Sequence, residues 1–177
     1  MNRRIIVGAI AIVLLAGVPR VWAGDGIQTA GSVLNGALIG AAMAATLGHH
    51  DAAGAKQLAI SMAVTWSATQ LLKRAINEGR PNGGQYSFPS GHSSSSFASA
   101  EFMRRRYGWK WGAPAYAAAA FVAYSRVESK MHYTKDVVAG AALGIGTSFI
   151  FAKPRHGWNA SAAGDTRGLQ ITFTRVW

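Results

Sequence analysis

Between Ala55 and Asn77 the side chains of Leu58, Met62, Thr65, Trp66, Thr69 and Leu72 recur at three- and four-residue steps. That is the period of an α-helix. Comparable segments lie on either side: Ile27–Leu47, Ala113–Tyr124 and Lys135–Phe151, rich in alanine or glycine, and the serine-rich His92–Arg106. Turn signals separate them at Gly48-His49-His50-Asp51, at Glu78-Gly79 with Pro81 just beyond, at Pro89-Ser90-Gly91 and at Val127–Tyr133. Gly79 is expected to be the left-handed cap of the Ala55–Asn77 helix, and Ser90 or a neighbour the N-cap of the next. Half of the residues are hydrophobic and 21 are glycine, a composition suited to closely packed helices. Gly140 and Gly144, four apart, permit one such close contact. The expectation is one all-α domain, a compact helical bundle of about five to six helices, over residues 24–152. A tail follows at 153–177. Lys153–Gly164 reads as a loop, and the strict alternation of Leu169–Thr174 reads as a short strand or extended tail.

The amino terminus has its own pattern. Basic Met1–Arg4, apolar Ile5–Val18 and then Val21-Trp22-Ala23 read as a signal peptide, residues 1–23, cleaved after Ala23. The apolar run is short for a span of ~20 residues. A periplasmic protein is therefore expected. The alternative is an integral inner-membrane protein with its site facing the periplasm. In it Arg3-Arg4, His49–Lys56, Arg104–Lys110 and Lys153–Arg155 would share the cytoplasmic side, as the positive-inside pattern requires. Against it stand Glu101 and the serines of His92–Met103, and the shortness of Ala113–Tyr124.

Lys and Arg number 18 against 7 acids, a net charge of +11. Such a surface attracts phosphate compounds, anionic membrane surfaces or nucleic acid. The absence of cysteine excludes disulfides and thiol chemistry. Arg104-Arg105-Arg106 reads as a solvated helix end that complements the helix dipole. His49-His50-Asp51 reads as a turn. Adjacent histidines there point apart and lack a matching i, i+3 or i, i+4 ligand pair, so no metal is expected.

Three polar clusters sit at the ends of apolar segments: Lys73 with Arg80-Pro81, then Pro89-Ser90-Gly91-His92, then Ser125-Arg126 with His132 and Asp136. Lys73, Arg80 and Arg126 supply three cations. Arginine grips phosphate in a bidentate way and lysine acts as a movable point charge. Unpaired buried cations are costly, so three in one site imply a bound anion. Ser90 and Gly91 open a helix whose N-terminal N–H groups favour the same ligand. His132 and Asp136 are four apart, which brings carboxylate to imidazole. The pair can keep one ring nitrogen protonated and leave the other as nucleophile or base. His92 adds a second imidazole, so acid and nucleophile can be separate residues.

Lys73-x6-Arg80-Pro81, Pro89-Ser90-Gly91-His92 and Ser125-Arg126-x5-His132-x3-Asp136 resemble the three-part signature of the type 2 phosphatidic acid phosphatases. That superfamily includes bacterial acid phosphatases, lipid phosphate phosphatases and vanadium haloperoxidases. The resemblance implies an all-helical bundle with its site at one end. It implies His132 as nucleophile forming a phosphohistidine, Asp136 orienting it, and His92 protonating the leaving alcohol. Lys73, Arg80, Ser90, Gly91 and Arg126 would hold the phosphoryl oxygens. The scheme needs no metal and no cofactor, and vanadate is expected to inhibit. The substrate is a phosphate monoester or pyrophosphate, lipid-linked or soluble. One alternative is a haloperoxidase with vanadate as cofactor. Another is a non-catalytic basic module for anionic lipid; nucleic acid is not expected, because neither binding role explains Asp136 and two histidines.

Overall fold

The computed structural model describes residues 25–155, 157–165 and 168–176. The expected cleavage after Ala23 lies outside them. Five helices follow in order among the described residues: α1 (Asp25–Gly48), α2 (Ala52–Ile76), α3 (Gly91–Tyr107), α4 (Trp109–Glu128) and α5 (Thr134–Phe151). Two antiparallel strands close the chain, β1 (Gly157–Asp165) and β2 (Gly168–Val176).

Helix α3 is the axis of the bundle and touches all four other helices. Its sequence explains the position. Serines and alanines line it, so neighbouring backbones come close. Gly140 of α5 faces it without a side chain; a Cβ there would fall 2.5 Å from Ser90 O. At Gly144 a Cβ would meet Ser94 O and the Ala98 nitrogen. The two glycines of α5 therefore set the α3–α5 distance, as their spacing suggested. Buried hydroxyls are satisfied locally or across helices. Ser148 Oγ donates to Ala98 O at 2.8 Å, and Thr69 and Ser94 hydroxyls pair at 3.0 Å. The apolar core is built from Leu38, Leu58, Phe102, Met103 and Val122 with small alanines between them.

Several large apolar side chains point outward instead. Leu47, Trp66, Leu71, Val138 and Ile150 are each more than 60% exposed. Helix α1, over Gly26–Gly48, is long and apolar enough to cross a membrane by length and composition.

Three boundaries differ from expectation. Asn77, at φ 45°, is the left-handed cap of α2, so the chain has already turned before Gly79. Trp109-Lys110-Trp111 is the first turn of α4, which extends to 20 residues. The two indoles hold that turn in place: Trp109 lies under the Arg104 guanidinium at 5.3 Å, and Trp111 meets the His49 ring edge-on. The objection that this helix is too short to cross a bilayer therefore falls. The expected loop at Lys153–Gly164 instead contains β1, paired with β2 from Gly157↔Val176 to Asp165↔Gly168. Its Ala, Ser and Gly residues carry little strand signal of their own, and pairing with β2 supplies the reason for extension. No described helix packs against the hairpin.

The triple arginine is not a solvated end. Arg106 is buried and makes a bidentate pair with Asp51, Nε to Oδ2 at 2.7 Å and Nη2 to Oδ1 at 2.6 Å. Asp51 also caps α2 through the Gly54 N–H and accepts from Tyr107 Oη. Arg106 holds Asp51 well below the usual carboxylate range, against the opposing effect of burial. Arg104 pairs with buried Glu101, which also accepts from Tyr116 Oη. Arg105 donates to Ala152 O and lies 4.0 Å from the Phe149 ring centre. These bonds tie the α1–α2 turn, the end of α3 and the exit of α5 into one knot.

Candidate active site

The other end of the bundle holds the three clusters, about 25 Å away by the 17-residue length of α3. Ser90 is the N-cap of α3, and its Oγ accepts from the Ser93 N–H at 3.4 Å. Its own N–H donates to Asp136 O at 2.9 Å, which joins the second cluster to the third. Gly91 starts the helix, and His92 follows with its ring half-buried.

Asp136 is fully buried at the third position of α5. Its Oδ2 accepts from the Tyr133 N–H at 3.0 Å, closing a capping box. The connection from α4 is folded back by Arg126 O, which accepts from both Met131 and His132 N–H. That turn delivers His132 beside Asp136, with Nδ1 to Oδ2 at 3.6 Å. The spacing of four therefore juxtaposes the pair across a helix start.

A third residue stands between them. Ser87 Oγ donates to Asp136 Oδ2 and lies 3.4 Å from His132 Nδ1. Ser87 is fully buried and sits in a loop that reads as merely polar in sequence. The loop is latched on both sides. Lys73 Nζ donates to Tyr86 O at 2.6 Å and Ser87 O at 3.3 Å, and Ser87 N donates to Glu78 O. Glu78 itself pairs with Lys135 on α5. No signal of spacing marks Ser87; only its position two residues before Pro89-Ser90-Gly91-His92 could have drawn attention to it.

Lys73 and Arg80 lie near enough to act electrostatically on His132, and both, with Arg126, on His92. Arg80 Nε donates to Gln85 O at 3.0 Å, which leaves its terminal nitrogens available. Arg126 is buried and aimed at α1, where Gly31 gives it room. Its Nε reaches Ser125 Oγ at 3.1 Å, Nη1 reaches Ser32 Oγ at 3.3 Å, and Nη2 donates to Gln28 O. Those three bonds leave two of the five guanidinium N–H groups for an anion. Burial, then Lys73 and Arg80, push His132 below the usual imidazole range, while Asp136 acts the other way. The ring is therefore neutral near pH 7. With Nδ1 turned toward Ser87 and Asp136, Nε2 is the nitrogen left to react.

The structure thus brings Lys73, Arg80, Ser90, Gly91, His92, Arg126, His132 and Asp136 to one end of the bundle. It gives two of them partners that sequence did not foresee: Lys73 on loop carbonyls and Arg126 on α1. Among the described residues no group of three His, Asp or Glu side chains could hold a metal ion.

The sequence profile of the PAP2 superfamily matches residues 82–159, which include Ser90, His92, Arg126, His132 and Asp136. Over those residues the chain is similar to the PAP2 superfamily. The matched region begins after Lys73 and Arg80. Among curated relatives, a lipid A 4'-phosphatase of Helicobacter pylori is 30% identical over 118 residues, 60% of each chain. A lipid A 1-phosphatase of Porphyromonas gingivalis is 33% identical over 91 residues, 49% of this chain and 20% of that one. The chain spans 60% of the length of the first of these relatives. Two solved structures share the fold. LpxE of Aquifex aeolicus superposes with a TM-score of 0.64 at 19% identity, over 81% of this chain and 92% of that one. A transmembrane PAP2-type phosphatidylglycerolphosphate phosphatase of Bacillus subtilis gives 0.59 at 22% identity, over 85% of both.

Proposed function

We propose that this chain is a phosphatase that removes phosphate from a lipid-linked monoester or pyrophosphate through a phosphohistidine on His132. The carrying observation is the buried His132–Ser87–Asp136 cluster, which lies within electrostatic reach of Lys73 and Arg80. In this reading Nε2 of His132 attacks phosphorus in line with the leaving oxygen. The P–O bond breaks as the P–N bond forms. Asp136 holds the proton on Nδ1 and stabilises the cationic ring that results. His92 gives a proton to the leaving oxygen, then takes one from the water that cleaves the P–N bond. Lys73, Arg80, Arg126 and the N–H groups at the start of α3 neutralise the three equatorial oxygens. Two curated relatives named for lipid A point to a phosphorylated glycolipid as the substrate class.

The surface supports a place in the membrane over a free periplasmic bundle. Large apolar side chains are exposed while serines, threonines and Glu101 are buried, the arrangement expected where hydrocarbon surrounds the helices. In this placement the arginine knot and the active site lie at opposite faces. The test is phosphate release from a lipid phosphate by detergent-solubilised protein. Release by the native protein and none by a folded His132→Ala is expected; equal release by both defeats the reading.

A further inference from the structure

Two arginines of the bundle are buried, and they are held in different ways. Arg106 is fastened by the Asp51 carboxylate. Arg126 is 1% exposed, and none of the four ion pairs among the described residues includes it. We propose that Ser32 and Gly31 of α1 are positioning residues that seat the Arg126 guanidinium for an anion without neutralising it. The inference rests on the phosphatase reading in taking that anion to be the phosphoryl group of the substrate.

The acceptors around Arg126 are all neutral oxygens. Ser125 Oγ donates its own proton to Val122 O at 2.7 Å, and Ser32 Oγ donates its own to Gln28 O at 3.0 Å. Both hydroxyls therefore turn lone pairs to the guanidinium. Nε donates to Ser125 Oγ at 3.1 Å and Nη1 to Ser32 Oγ at 3.3 Å. Nη2 donates to Gln28 O, the carbonyl that Ser32 Oγ also uses. One bond from each of the three nitrogens fixes the plane of the group as well as its place. One N–H is left on Nη1 and one on Nη2. A buried cation without a counter-ion is costly, and an arriving anion relieves that cost. A carboxylate in place of Ser32 would hold the same plane but cancel the charge. Gly31 makes the approach of α1 possible. A Cβ there would run into Ser125 Oγ and fall 2.6 Å from Arg126 Nη2. The seat also touches the site itself, because Arg126 O accepts from the His132 N–H at 3.1 Å.

The test measures orthovanadate binding by calorimetry, and kcat/KM for dodecyl phosphate, on the detergent-solubilised full chain, with thermal unfolding to show each variant folded. Ser32→Ala is expected to weaken vanadate binding and lower kcat/KM by about fivefold, the size of one ordinary hydrogen bond. Ser32→Thr keeps the hydroxyl and stays within twofold of native. Ser32→Asp loses on the order of a hundredfold or more, as when an oxyanion donor is removed. In an Arg126→Ala background Ser32→Ala changes vanadate binding no further, because Ser32 acts through Arg126. The same loss from Ser32→Ala with and without Arg126, or native-like vanadate binding by folded Ser32→Ala and Ser32→Asp, overturns the proposal. Vanadate binding that follows the expected pattern in a native protein that turns over no phosphoester sinks the phosphatase reading and leaves the seat of Arg126 standing.

Discussion

Ser87→Ala removes one hydroxyl and no charge, yet it is expected to act on the nucleophile. In the native structure His132 Nδ1 is 3.6 Å from Asp136 Oδ2, beyond a good hydrogen bond, while Ser87 Oγ touches both groups. Without it Oδ2 keeps the Tyr133 N–H, and Oδ1 already lacks a partner among the described residues. A hydrogen bond to a charged group contributes about 1.5–3 kcal/mol. Expressed wholly in the chemical step, that is a loss of roughly 10- to 150-fold in kcat/KM. The carboxylate, freed from Ser87, pulls harder on the imidazolium, so the acid limb of the pH profile moves up. Ser87→Cys, nearly the same shape and a weaker donor, falls between. The assay is kcat/KM against pH on variants whose thermal unfolding shows them folded. A Ser87→Ala enzyme within twofold of native, with an unmoved acid limb, refutes the bridging role.

The proposed mechanism needs a neutral His132, whose pKa is lowered by burial, Lys73 and Arg80. The limb of kcat/KM set by His132 falls as pH drops through that lowered pKa, so it should lie below the usual imidazole value near 6.5; an acid limb at or above 6.5 contradicts this. Asp51→Ala leaves Arg106 buried without its bidentate partner, which costs about 3–5 kcal/mol and on the order of 6–20 °C in thermal midpoint. Gly144→Ala drives a methyl into Ser94 O and the Ala98 nitrogen and is expected to destabilise by about 1–3 kcal/mol or more. Gly146→Ala on the same helix meets nothing within 4 Å and is expected to stabilise by up to about 1 kcal/mol; chemical denaturation of both variants reads the difference.

The helices were legible because their apolar period is local. The ends of α1, α2 and α5 fall within about three residues of the periodic segments, the usual uncertainty of helix termini. The start of α4 was not legible, because Pro114 argues for a later start, and only contacts of Trp109 and Trp111 with distant residues outweigh it. The arginine knot was hidden for a similar reason. Three consecutive arginines at a helix end satisfy every local rule for solvation, and Asp51 lies 55 residues away. At the site, fixed spacings announced the charged residues and both histidines. Ser87 is a small side chain in a polar loop, and its meaning comes only from Asp136, 49 residues on. The Arg126 bonds to Gln28 and Ser32 span more than 90 residues and carried no signal at all.

The central claim is that His132 becomes covalently phosphorylated. The direct measurement uses a ³²P-labelled phosphoester with an activated leaving group, so that attack outruns hydrolysis, quenched in alkali, where phosphohistidine survives. Native protein is expected to retain label that maps to His132 and is released by acid, and folded His132→Ala to retain none. Full turnover by native protein with no retained label, or equal label on the His132→Ala variant, contradicts the account.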